Sequence, residues 1–123
     1  MGALLTVIAG TVAYSQLWSA PAKAEKTGAA FLISATEGDQ AGVQSLLAGD
    51  ARITAAETIA LYSGLSRASV SDVIEALPNH TGVEYVVLAS GAYEDGYTET
   101  TTLLLRRQDN RWVVVDAGEN VRY

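Results

Sequence analysis

Apolar and polar residues alternate most regularly near the end of the chain, over residues 83–117. The pattern predicts three consecutive antiparallel strands, at residues 83–93, 97–107 and 111–117. Glu94-Asp95-Gly96 and Gln108-Asp109-Asn110 supply the two turns. In the first strand Val83, Tyr85, Val87 and Ala89 share one face, and Glu84, Val86, Leu88 and Ser90 the other. Thr101, Leu103 and Leu105 line one face of the second strand. In the third, Trp112 and Val114 oppose Val113 and Val115. Both faces are apolar at Val86-Val87-Leu88, so the sheet needs two covers: helices on one side, and a cavity or a partner on the other. Gly91 is the expected site of a bulge or bend.

Upstream, the period changes to that of helices. Residues 29–37 form one predicted helix, broken at Gly38-Asp39. Asp39 then caps a second helix at residues 40–48, whose stripe is Val43, Leu46 and Leu47. Residues 51–65 are ambiguous. Ile53, Ala56, Ile59 and Ala60 have helical spacing, and Thr54 with Glu57 resembles a capping box. Ile53, Ile59 and Tyr62 also tolerate extended backbone. Residues 69–77 are predicted helical, with Val70, Val73, Ile74 and Leu77 inward and Pro78 as the stop. Residues 79–82 read as a loop.

The N-terminal segment stands apart. Residues 3–20 carry no charge, and their length just suffices to span a bilayer as a helix. Tyr14 and Trp18 lie near one end, where interfacial aromatics are expected. Pro21 is the expected stop, and residues 21–27 read as a linker. The division is therefore a transmembrane anchor at 1–20, a linker at 21–27 and an α+β domain at 28–123. Two other readings stay open: a cleaved signal peptide, given the small-x-small spacing of Ala22-Lys23-Ala24, and a helix docked in a partner's groove.

Composition removes several functions. The chain of 123 residues has no cysteine, which excludes disulfides and thiolate chemistry. Net charge is -6 and, beyond Thr27, thirteen acidic residues face six basic ones. Such a field repels a phosphate backbone, so nucleic acid is not an expected partner. No glycine-rich phosphate loop occurs, and no cofactor is expected. Lone His80 and scattered carboxylates do not form a transition-metal set. Glu94, Asp95 and Glu99 would bind calcium at most loosely. Asn79-His80-Thr81 fits the glycosylation pattern.

The order of elements resembles the NTF2-like cone fold, in particular its small extracytoplasmic members that follow a membrane or signal segment. The resemblance rests on the helix at 29–37, the Gly38-Asp39 break, the helix ending in Leu46-Leu47, the polar-turn hairpin and the run Asp109-Asn110-Arg111-Trp112-Val113-Val114-Val115-Asp116. It covers residues 28–117. A strand usual between the second and third helices has only residues 51–54 to form it. The resemblance implies a curved antiparallel sheet around a long helix, with the domain on the extracytoplasmic side.

Two functions follow. One is a non-enzymatic accessory or assembly subunit of a bacterial membrane complex, respiratory, secretory or transporting. Its partners would be integral-membrane subunits, with a homodimer as a further option. Tyr14, Trp18, Tyr85, Tyr93, Tyr97 and Trp112 are its candidate partner-binding anchors. The alternative is a small-ligand-binding or isomerase- or dehydratase-like enzyme. Its polar groups inside the cone would come from Tyr85, Tyr97, Glu99 and Asp116, or from His80 paired with Asp39, Asp72 or Asp116.

Overall fold

A computed structural model describes residues 20–76 and 82–118. The expectations for the anchor, Tyr14, Trp18, Pro78, Asn79, His80 and the tail after Gly118 fall outside these residues. Three helices, α1 (Ala20–Thr36), α2 (Gln40–Leu46) and α3 (Ala55–Tyr62), precede four strands. These are β1 (Arg67–Glu75), β2 (Tyr85–Ala92), β3 (Thr98–Gln108) and β4 (Arg111–Gly118), antiparallel in the order β1-β2-β3-β4.

The helix foreseen at 29–37 is longer at its front. Residues 21–27 are helical rather than a linker, and Pro21 lies within this helix. Ala24, Gly28, Phe31, Leu32 and Ala35 form the buried stripe of α1. Gly28 lets the helix lie close on the sheet: a Cβ there would sit 3.0 Å from Val87 Cγ1. Gly38, at φ 72°, ends the helix in the left-handed conformation.

The local signals of the next two helices hold. The Asp39 side chain accepts from the Gly42 N–H, at 3.0 Å. Thr54 and Glu57 form the reciprocal capping box, which settles the ambiguous stretch as helix α3. Between α2 and α3 the chain runs along the outer edge of β4. Leu47 bridges Val114 in parallel, and the N–H groups of Ala48 and Arg52 donate to the carbonyls of Val114 and Val115. The short extended piece thus starts at Leu47, earlier than residues 51–54.

Residues 69–77 are the main correction. They belong largely to strand β1, not to a helix. Val70 and Val73 both pack on the interior, because a bulge between Val70 and Asp72 inserts one extra residue. A second bulge lies in the β3–β4 pairing at Leu104/Leu105. Gly91 carries neither. Its role is space, since a Cβ would lie 2.7 Å and 2.8 Å from the Leu65 methyls.

The helices cover the sheet face bearing Val87, Ala89, Leu103, Leu105 and Val114, and Phe31, Leu32 and Val43 fill the space between. On the other face Val83, Val86, Leu104, Val113 and Val115 form a second buried cluster with Ala48. Val83 joins this second cluster rather than the face of Tyr85 and Val87.

Candidate functional site

The interior between helices and sheet is where a cone of this kind would hold a ligand. Among the described residues mainly apolar side chains line it. Phe31, Leu32, Val43, Leu103 and Leu105 are all essentially without solvent access. Among the described residues Thr58 and Thr101 are the buried polar side chains outside the apolar set. Thr58 Oγ1 donates to the Thr54 carbonyl, 2.8 Å away. Thr101 Oγ1 meets the Tyr62 hydroxyl at 2.5 Å, joining α3 to the sheet. Tyr62 follows Ala55 and Thr58 on the buried stripe of α3, and Thr101 continues the Leu103–Leu105 face. Sequence reasoning did not pair them, although a threonine on an otherwise apolar face was the available signal.

The aromatic candidates separate into two pairs. Tyr85 and Trp112 meet edge to face, with centroids 5.4 Å apart at 63°. Trp112 is buried, and the Arg107 guanidinium lies 5.8 Å from its ring centroid. Tyr93 and Tyr97 form the second pair, 5.7 Å apart at the β2–β3 turn. The pairs stand at opposite ends of β2, about 25 Å apart at ~3.3 Å per residue. Tyr85 and Trp112 serve the interior. Tyr97 alone of the four is open to solvent, at 61 %.

The carboxylates do not converge either. Glu99 Oε1 accepts from the Tyr93 hydroxyl at 3.1 Å. Asp116 lies 3.8 Å from Arg52, and its Oδ1 accepts from the Ala117 N–H. Glu99 is opposite Gly91 on β2, whereas Asp116 is opposite Leu104, five residues further along β3. Asp72 caps the N–H of Val73, Asp39 caps α2, and Asp95 Oδ1 accepts from the Tyr97 N–H within its turn. Among the described residues no cluster of three or more His, Cys, Asp or Glu could hold a metal. One carboxyl is displaced in pKa. The Arg106 guanidinium, hydrogen-bonded to Asp50, holds it below the usual aspartate range.

A different feature of the surface is built by topology. β1 is a terminal strand, and its outer edge pairs with no other described strand. Two open cavities have both β1 and α1 among their walls. The larger, about 770 Å³, is bounded by Ile33, Thr36 and Glu37 of α1, by residues 66–69, and by Ser90, Gly91, Ala92 and Thr98 across β2 and β3. The smaller, about 330 Å³, is bounded by Pro21, Ala22 and Glu25 and by residues 70–73. Among the described residues no helix is long and apolar enough to cross a membrane.

No family model and no curated protein matches the chain. Solved structures do. A ketosteroid isomerase-like protein from Erwinia carotovora atroseptica aligns with TM-score 0.54 and 13% identity, covering 79% of this chain and 92% of its own. A protein of unknown function from Mycobacterium tuberculosis aligns with TM-score 0.56 and 13% identity, over 89% of this chain and 74% of its own. An NTF2-like protein from Cytophaga hutchinsonii gives TM-score 0.51 and 21% identity, over 75% and 89%. Identities this low speak to the fold alone. The described chain is an α+β cone of the NTF2-like kind, three helices on a four-stranded antiparallel sheet.

Proposed function

We propose that this chain is a non-enzymatic accessory subunit: a protein-binding cone domain, tethered through its N-terminal segment to integral-membrane partners on the extracytoplasmic side. What supports the non-enzymatic part is the chemistry of the described interior. Proton transfer needs a group whose pKa lies near the working pH, within reach of a bound substrate. Among the described residues the interior holds the hydroxyls of Thr58, Tyr62 and Thr101, each bonded within the protein, and no carboxylate. Glu99 and Asp116, the acids available for isomerase-like chemistry, stand apart and bond to Tyr93 and Arg52. The name of the Erwinia neighbour belongs to that protein; shared fold transfers no activity.

The tether rests on the sequence. Residues 3–20 are uncharged and long enough to span a bilayer, and Tyr14 and Trp18 sit where interfacial anchors belong. The test is affinity purification in mild detergent from native membranes. The full-length chain is compared with one lacking residues 1–19. Full-length protein is expected to retain integral-membrane subunits in fixed stoichiometry, and the shortened chain to lose them. A shortened chain that is folded, carries no protein and copurifies with a small molecule inside the cone overturns the proposal.

A further inference from the structure

We infer that the turn from Ala48 to Arg52 is a hinged strap, held across β4 by two ion pairs, which lifts as a unit without global unfolding and uncovers the outer edge of β4 together with Val113 and Val115. The inference goes beyond the accessory-subunit reading and does not depend on it.

The strap is anchored at both ends and lightly packed between them. Leu47, just before it, is buried in the cluster beneath the helices, and Ile53, just after it, packs against the same cluster. Within the strap Ala48 is buried and Ala51 half-buried, whereas Gly49, Asp50 and Arg52 are exposed. The Ala51 N–H donates to the Ala48 carbonyl at 3.1 Å and closes a turn over Gly49 and Asp50. A Cβ on Gly49 would meet nothing within 4 Å, so the backbone there stands clear of its neighbours.

Polar bonds hold the strap down. The Ala48 N–H donates to the Val114 carbonyl at 2.9 Å, and the Arg52 N–H to the Val115 carbonyl at 2.8 Å. Leu104 pairs with Asp116 and Leu105 with Val114, so Val115 is the extra residue of the bulge. Two successive carbonyls of β4 therefore serve the strap rather than β3. At the tip Asp50 accepts from Arg106, which stands opposite Val113 in the β3–β4 register, so this pair spans β4. Asp50 is faced by Arg106 from β3 and by Arg52 from the strap itself, and Asp116 of β4 lies 3.8 Å from Arg52. The side chains of Asp50 and Arg52 are 68 % and 50 % exposed, so water and salt compete with both pairs. A segment with few buried apolar contacts and bonds open to solvent is of the kind that opens locally. Beneath it Val113 and Val115 belong to the same buried cluster as Ala48, with Ala51 packed against it. Removing charge from Asp50 or Asp116 shifts the balance to the lifted form.

The test is native-state hydrogen exchange on the full chain in detergent, read amide by amide by NMR. The Ala48 and Arg52 amides are expected to exchange together, at least about ten-fold faster than the β2–β3 ladder, through an opening that low urea does not promote. Asp50→Asn keeps an acceptor and removes the charge. It should speed exchange at both amides about two- to five-fold, the scale of an exposed ion pair, and leave the ladder unchanged. Asp50→Asn/Asp116→Asn should speed it further, and high salt should mimic both changes. The chain has no cysteine, so a Val115→Cys thiol gives a second readout, and its labelling rate should follow the Ala48 amide. Three results overturn the inference: Ala48 and Arg52 amides as protected as the ladder, exchange at the two that is uncorrelated, or exchange indifferent to both charge and salt.

Discussion

The bond between Tyr62 and Thr101 offers a direct test of whether the cone interior is structure or site. It joins α3 to β3 inside the apolar cluster, and both residues are nearly inaccessible. Tyr62→Phe removes one hydroxyl and leaves the Thr101 hydroxyl buried without a described partner. Such an orphan costs about 1–3 kcal/mol. Thr101→Val keeps the shape and removes the other side, at about 1 kcal/mol. The double variant leaves no orphan at this point, so the losses should not add. A coupling of about 1 kcal/mol is expected in the double-mutant cycle. Urea unfolding followed by circular dichroism measures it. For a domain this size a loss of 1–2 kcal/mol moves the midpoint by about 1 M. Strict additivity of the two changes would refute the direct bond. A gain in stability from either single change would refute the structural reading, because polar groups held in place for a ligand are commonly kept at a cost to stability.

Other consequences are checked with the same unfolding assay. Gly91→Ala pushes a methyl into Leu65 and should cost about 1–3 kcal/mol, with Leu65→Ala in the same chain relieving much of the clash. In the β3–β4 turn both Asp109 and Asn110 have positive φ, 51° and 65°, as a two-residue hairpin loop requires. Asn110→Gly should therefore be neutral or stabilising by a few tenths of a kcal/mol, and Asn110→Val destabilising by about 1–2 kcal/mol, as midpoints will show. The Asp50–Arg106 pair predicts a pH dependence. The carboxyl of Asp50 has a lower pKa folded than unfolded, so the pair's stabilisation is fully present above about pH 4 and is lost as pH falls through the folded value. Asp50→Asn should remove that part of the acid-side slope, and a carbon-detected NMR titration should show the carboxyl of Asp50 below the usual aspartate range.

What could be read from the sequence was local. Asp39, Thr54 with Glu57, Gly38 and the Asp109-Asn110 turn act through bonds within four residues, so neighbours suffice to reveal them. β2, β3 and β4 were legible as apolar runs bounded by turn residues, whose successive side chains go to two separate buried clusters. β1 was misread for a physical reason. Its bulge at Ser71 places Val70 and Val73 on the same face, three apart, and three-residue spacing is a helical signature. The extension of α1 through Pro21 was missed because proline commonly marks a helix boundary. The Tyr62–Thr101 pair joins residues 39 apart, and only the register of the fold brings them together.

The apolar second face of the sheet forms a cluster of its own within the described chain. Strands apolar on both sides suggested that one side waits for another molecule. Instead Val86, Leu104 and Val113 are completely buried within the single chain, in a cluster that includes Ala48 from the segment after α2. Tyr85 and Trp112, the expected partner anchors, pack with the other cluster. An open sheet can bury both faces within one chain, but it cannot pair both edges without closing into a barrel. Here the segment from Leu47 to Arg52 occupies the edge of β4. Among the described residues the unpaired main-chain groups then collect on β1, the strand whose side chains are the most exposed in the sheet. A partner that recognises this domain through backbone pairing therefore meets it at the strand that periodicity had disguised as a helix.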